Sequence, residues 1–231
     1  MTNILLKYLE ERYKSVKSPL ISQDMGPVIT ISREFGCPAN LIATDLAEIL
    51  TKRDDPDFEP WKVITKEILD QAASELGLEP EKIEYIFKFE KRSPVDEILE
   101  AFSSKYYKSE RKIRKTIREV IHTFGERGRV IIVGRAGSTI LRDIPSSLHV
   151  RLIAPLDYRI DGVSNRHQIS LKAARKLTLE MDKKRAILRN DFAGKKIHDV
   201  DYDLVLNSKT LTSEQMVKII EKTAELRNLI K

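Results

Sequence analysis

The chain has 231 residues, 41% hydrophobic and 33% charged, a mix that fits a globular protein with a real core, in one large α/β domain or two small ones. Lysine and arginine (41) outnumber aspartate and glutamate (35), and the formal charge of +6 favours anionic partners without choosing among nucleotides, nucleic acid and lipid headgroups. A lone cysteine, Cys37, excludes an intrachain disulfide and fits a reducing cytoplasm, while the charged N-terminus and the lack of a long apolar run argue against a signal peptide or a membrane span.

Residues 2–16 are predicted to form an amphipathic helix with Leu5, Leu6, Leu9 and Tyr13 on one face, docking on the domain or on a second subunit. An apolar run predicts a first strand at 28–32. A helix follows over 40–52, with Leu41, Ile42, Leu46, Ile49 and Leu50 inward. "WKVIT" (61–65) reads as a short strand. Residues 66–125 read as helical: 66–76 closed by Gly77, a helix opened by Pro80, another by Ser93-Pro94, and a long one near 105–124 followed by Gly125. The long helix places Ile113, Ile117, Val120 and Ile121 on one face and Lys108, Arg111, Lys112, Lys115 and Arg118 on the other. No aromatic side chains interleave with that basic stripe, which argues for a solvated face over a nucleic-acid footprint. Further strands are predicted at 129–134, 148–155 and 201–208, with helices opening at Pro155 and Ser170. Thr212 and Gln215 have capping-box spacing before a last helix carrying Met216, Val217, Ile220 and Ala224. Apolar strands alternating with helices predict a parallel sheet covered on both faces, in a single domain over 1–231 that 66–125 interrupts as an insertion or lid.

In such a sheet, ligands bind at the carboxyl ends of the strands. The first place to look is "SREFGCPAN" (32–40). Gly36 permits a tight turn, and a helix N-terminus lies behind it to receive a phosphate. Against this, Pro38 removes an N–H donor and G-x-x-x-x-G-K-[ST] is absent, so an ordinary strand-to-helix turn fits the residues as well. The second place is "VGRAGS" (133–138), where Arg135 leaves a buried strand at its carboxyl edge, placed for an anion or for a neighbouring carboxylate. The third is Asp182, Arg185 and Arg189, which share a helix face. Planar guanidinium donors match the charge that phosphoryl transfer develops, although an ion-pair ladder has the same spacing. The four histidines have no zinc-ligand spacing, and no metal-ligating residues are expected.

Taken together, "VITISREFG" (28–36), "VIIVGRAGSTILRDIPSSLHVRLIAPLDYRI" (130–160), "ARKLTLEMDKKRAILRNDF" (174–192) and "DYDLVLN" (201–207) resemble the cytidylate kinase-like family of the P-loop nucleoside monophosphate kinases. The resemblance implies a three-layer α/β/α sandwich with a five-stranded parallel sheet, a helical monophosphate-binding insertion at 66–125 and a lid over 162–198. It implies transfer of the γ-phosphoryl group of ATP, with Mg²⁺, to a monophosphate such as CMP or dCMP. Arg135 would hold that monophosphate. Asp182, Arg185 and Arg189 would serve catalysis from the lid, and Arg33, Gly36, Cys37 and Asn40 would meet the nucleotide cofactor. The partner would be a small-molecule nucleotide in the cytoplasm, with no membrane.

This chain also departs from the family pattern. After "SREFG" come Cys37, Pro38, Ala39 and Asn40 where the family commonly has S-G-G-R. Against a true cytidylate kinase, Ala39 falls at the lysine and Asn40 at the magnesium-binding Ser/Thr. Ala136 replaces the aspartate after Gly-Arg, and Thr178 replaces a lid arginine. A loop lysine or comparable cation contributes roughly 4–7 kcal/mol where arginine clusters have been measured. Arg33, leaving the strand at the loop mouth, is a candidate to supply that charge. The alternative is a degenerate kinase that binds nucleotides without catalysis.

Overall fold

A computed structural model describes residues 26–65, 67–77 and 110–230. The helix expected at 2–16, those opened by Pro80 and Ser93, and Lys108 lie outside the described residues. Five strands, β1 (Val28–Arg33), β2 (Lys62–Ile64), β3 (Val130–Val133), β4 (Ser147–Ile153) and β5 (Leu204–Asn207), form one sheet in the order β2-β3-β1-β4-β5. Every pairing is parallel, with Ile29 opposite Ile131 on one side and Leu148 on the other. The helices are α1 (Ala39–Arg53), α2 (Glu67–Leu76), α3 (Glu110–Arg127), the short α4 (Gly137–Ile140), α5 (Leu156–His167), α6 (Leu171–Ala193) and α7 (Ser213–Leu226).

Period-2 alternation sorts each strand between two layers. Ile29, Ile31, Ile131, Val133, Leu148 and Val150 pack against α1 and α7. Val28, Val130 and Ile132 face the other way, against α2, α3, α4 and the end of α6. This is the expected three-layer sandwich, and its central strand is wholly enclosed: Val28, Ile29 and Ile31 are buried, each contributing about 2 kcal/mol. A third, small cluster of Ile160, Val163 and Ala174 joins α5 to α6 and receives Phe35 from the loop after β1.

The helix ends follow local chemistry. Ser170 caps α6 by accepting the amide of Ala173, and Gly194 closes it in a left-handed conformation. Thr212 and Gln215 form the expected capping box, with distances of 3.2 and 2.9 Å. Two expectations need correction. Leu41 is 54% exposed, because the buried arc of α1 runs through Ala39, Ile42, Ala43, Leu46 and Leu50 and Leu41 is turned about 100° away from Ile42. Gly125 does not end the long helix, which continues to Arg127; its place is a close approach, since a Cβ there would sit 2.7 Å from Ile144 Cδ1 and Leu141 Cδ2.

Candidate functional site

From β1 the chain passes to α1 on one layer, and from β3 to α4 on the other. Adjacent strands whose exits diverge leave a crevice at their carboxyl ends. Here the crevice is a small open cleft between the sheet edge and α6. Thr30 and Ser32 form part of its wall on β1. They are the two polar residues that alternate with Ile29 and Ile31.

Four arginines line the cleft: Arg33 at the end of β1, Arg135 in the turn after β3, and Arg185 and Arg189 on α6. Two nearby acids, Glu34 and Asp182, pair with Arg159, and Asp182 and Asp199 also lie close enough to act on the arginines of α6. Burial first, then the nearby charges of Arg185 and Arg135, pull the Arg33 guanidinium down from its ordinary value to about 9, so it is still charged at neutral pH. Burial also lowers Arg185 and Arg189. Arg189 Nε is buried and meets no hydrogen-bond partner among the described residues. Guanidinium donors crowded together, one of them with a buried Nε that meets no acceptor among the described residues, suit an anion with several oxygens.

The turn after β3 is itself unusual. Gly134, Arg135 and Ala136 are all left-handed, with φ of 77°, 53° and 58°. The two non-glycine residues cost on the order of 1 kcal/mol each in this region. The turn closes through Gly137 N–H donating to the Gly134 carbonyl at 2.8 Å. Gly134 is required for a second reason: a Cβ there would overlap Arg33 Nη1.

The loop after β1, residues 34–38, is braced. Phe35 N–H donates to Asp182 Oδ1 at 2.7 Å, and Arg159 Nη1 donates to Asp182 Oδ2 at 2.6 Å and to the Phe35 carbonyl at 3.1 Å. Arg159 Nε donates to the Ala154 carbonyl at 2.9 Å and lies 3.2 Å from Glu34 Oε2. Glu34 also accepts the Ala154 amide at 3.0 Å. The amides of Cys37 and Ala39 are spent within the loop, on Glu34 and Cys37 carbonyls. Pro38 has none. Gly36, Asn40 and Leu41 are left with amides that donate to no backbone carbonyl among the described residues.

The structure therefore divides the residues singled out from sequence. Arg33, Arg135, Arg185 and Arg189 come together around one cleft. Gly36, Cys37 and Asn40 do not line it; Gly36 packs on Arg159, and Asn40 is exposed at the start of α1. The Cys37 thiol is half-buried beside Ser208, and burial pushes it above its ordinary value. Asp182 sits outside the cleft lining and ties α6 to the loop. Arg185 holds the same junction from above: its Nη1 donates to the Arg33 carbonyl at 3.4 Å, and its guanidinium lies 5.2 Å from the Phe35 ring centre.

Sequence reasoning passed over Arg159, the 6%-exposed side chain at the hub of the brace. Its visible signal was an arginine on an otherwise buried helix face, next to Ile160 and one turn from Val163. Thr30 and Ser32 were signalled by polar residues at alternate positions of an apolar strand. His149, one of the four histidines without zinc-ligand spacing, is buried beside Thr30. Its Nδ1 lies 2.8 Å from Thr30 Oγ1 and its Nε2 3.2 Å from Ser147 Oγ. Among the described residues, no group of three His, Cys, Asp or Glu side chains is placed to hold a metal. No described helix is long and apolar enough to cross a membrane.

The cytidylate kinase-like family model matches residues 28–210, from β1 through β5. The chain belongs to the cytidylate kinase-like family. Its kinase-like, nucleotide-binding fold follows from that membership and from the sheet order. The crystal structure of an uncharacterized protein from Eubacterium ventriosum superposes with a TM-score of 0.62 at 22% identity, covering 88% of this chain and 99% of that one. Shikimate kinase from Bacteroides thetaiotaomicron matches with a TM-score of 0.44 at 14% identity, over 86% of this chain and 98% of that one. A uronate isomerase from Corynebacterium glutamicum is 28% identical over 111 residues, 48% of this chain. The match spans about a fifth (21%) of that relative's length.

Proposed function

We propose that the chain transfers the γ-phosphoryl group of ATP to a nucleoside monophosphate such as CMP or dCMP. The observation that carries this reading is the convergence of Arg33, Arg135, Arg185 and Arg189 on one cleft at the switch point, with Glu34 and Asp182 paired with Arg159. Negative charge spread over a transferring phosphoryl group is stabilised most by donors fixed before the reaction. Two of these arginines stand on the sheet edge and two on α6, so the cleft can grip an anion from both sides.

Within this reading, Arg135 holds the acceptor phosphate from its left-handed turn. Arg185 and Arg189 face it from α6. Asp182 works through the loop and does not touch the reacting atoms. The donor nucleotide would meet the free amides of Gly36, Asn40 and Leu41 at the start of α1. Magnesium ATP, when bound, supplies the phosphoryl group and partial neutralisation of its charge. The described residues offer no ligand cluster for the ion, so the nucleotide's own phosphates and water would hold it. The expected setting is the cytoplasm, with a small-molecule nucleotide as partner.

The test is a coupled assay of the full chain with ATP, Mg²⁺ and a panel of nucleoside monophosphates, together with calorimetric titration of ATP. Turnover on a pyrimidine monophosphate supports the reading. No turnover on any acceptor, with no heat of ATP binding, would sink it.

A further inference from the structure

The loop lacks a lysine, and a phosphoryl-transfer site without a cation between donor and acceptor is incomplete. The described residues offer one replacement whose position is fixed by the fold. Arg33 is the last residue of β1, the central strand. Its guanidinium does not turn back toward the loop. It lies across the backbone of Gly134, so closely that a single methyl group there would displace it. Arg185 holds its carbonyl from above, at 3.4 Å. Glu34, the adjacent acid, is committed to Arg159 and the Ala154 amide. The side chain is thus seated on Gly134, close to other cations and, among the described residues, paired with no acid.

That arrangement is costly in the empty protein. Like charges in a partly desolvated cleft repel one another, and a structural arginine would have been given a carboxylate. The three cations Arg33, Arg185 and Arg189 together exceed the charge of one phosphate dianion, so a single phosphate leaves the cleft under-neutralised. Resting on the kinase reading above, we propose that Arg33, seated on Gly134, does the work of the missing loop lysine by bridging two phosphoryl groups in the cleft. The ligand class is accordingly one that presents two phosphoryl groups at once, either linked in one molecule or brought together as donor and acceptor.

The proposal separates binding from stability. Arg33→Met keeps the length of the side chain and removes the charge. It is expected to weaken inorganic pyrophosphate binding to the full chain by at least tenfold while raising the melting temperature of the ligand-free protein. A merely structural arginine would lower that temperature. Arg33→Lys restores charge without the planar fork and should recover part of the affinity. Gly134→Ala should weaken pyrophosphate binding although it touches no ligand. Pyrophosphate should also bind at least tenfold more tightly than orthophosphate. Equal pyrophosphate affinity in wild type and Arg33→Met, while Arg135→Met abolishes it, overturns the role of Arg33 and leaves the kinase reading standing. No binding of ATP or pyrophosphate to the wild type overturns both.

Discussion

Two polar regions at the carboxyl end of the sheet lie within a few residues of each other, and they are built on opposite terms. In the loop 34–38 almost every polar group is spoken for: Phe35 and Glu34 are held by Asp182, Arg159 and Ala154, and Cys37 and Ala39 donate inward. In the cleft beside it, four arginines converge, and Arg189 Nε has no acceptor among the described residues. A region whose groups satisfy one another is a scaffold. A region whose groups lack partners waits for a ligand. The loop is braced by its own contacts, while the cationic side chains gather at the switch point.

That contrast can be broken most forcefully at the brace. Asp182→Ala leaves Arg159 buried with Glu34 as its acidic partner, and should cost about 3 kcal/mol of stability in denaturant unfolding. Asp182→Asn, which keeps the Phe35 hydrogen bond, should cost less. If Asp182→Ala abolished turnover at unchanged stability, Asp182 would belong with the reacting groups and the division drawn here would fail.

The floor of the cleft offers a comparable effect through pH. Burial, partly offset by Asp203, holds His149 down at about 4 from an ordinary 6.5. The unfolded chain therefore binds a proton between these values that the folded chain refuses. His149 favours the fold fully above pH 6.5, and that contribution is lost as pH falls from 6.5 to 4, by about 3 kcal/mol in all. Denaturant midpoints measured at pH 7.5 and 4 should show this loss, and His149→Gln should flatten it.

On the cleft side, Arg189→Met should weaken pyrophosphate binding by roughly 10- to 100-fold, the worth of one charge-assisted hydrogen bond. Its thermal stability should hold steady or rise. The smallest effect belongs to the loop. Pro38→Gly restores one N–H, and should raise ATP affinity by about threefold to tenfold, the range of one neutral hydrogen bond.

Much of this was legible in the sequence because it depends on local order. The run at 130–133 is apolar throughout and that at 28–31 is broken only by Thr30, a pattern that fits a doubly covered parallel sheet. Thr212 and Gln215 announced a capping box that the structure contains. Arg33, Arg135, Arg185 and Arg189 were each visible as arginines at strand ends or on one helix face. What spacing could not convey was which charges would be neutralised. Arg159 and Arg185 look alike in sequence. One is paired with Asp182 and Glu34 because α5 folds back over the loop, while the other faces the cleft because α6 crosses the sheet edge. Likewise Asp182 shares a helix face with Arg185, yet it points to the Phe35 amide across 147 positions of chain. Leu41 failed for a simpler reason, since the start of α1 sets the phase of its buried arc.

The most direct measurement is a crystal structure of the full chain grown with pyrophosphate. The account predicts ordered phosphoryl density in the cleft, with oxygens within hydrogen-bonding distance of Arg33, Arg135, Arg185 and Arg189 and with the Asp182–Arg159 brace intact. Density seated instead at residues 36–41, with the arginine cleft empty, would contradict it.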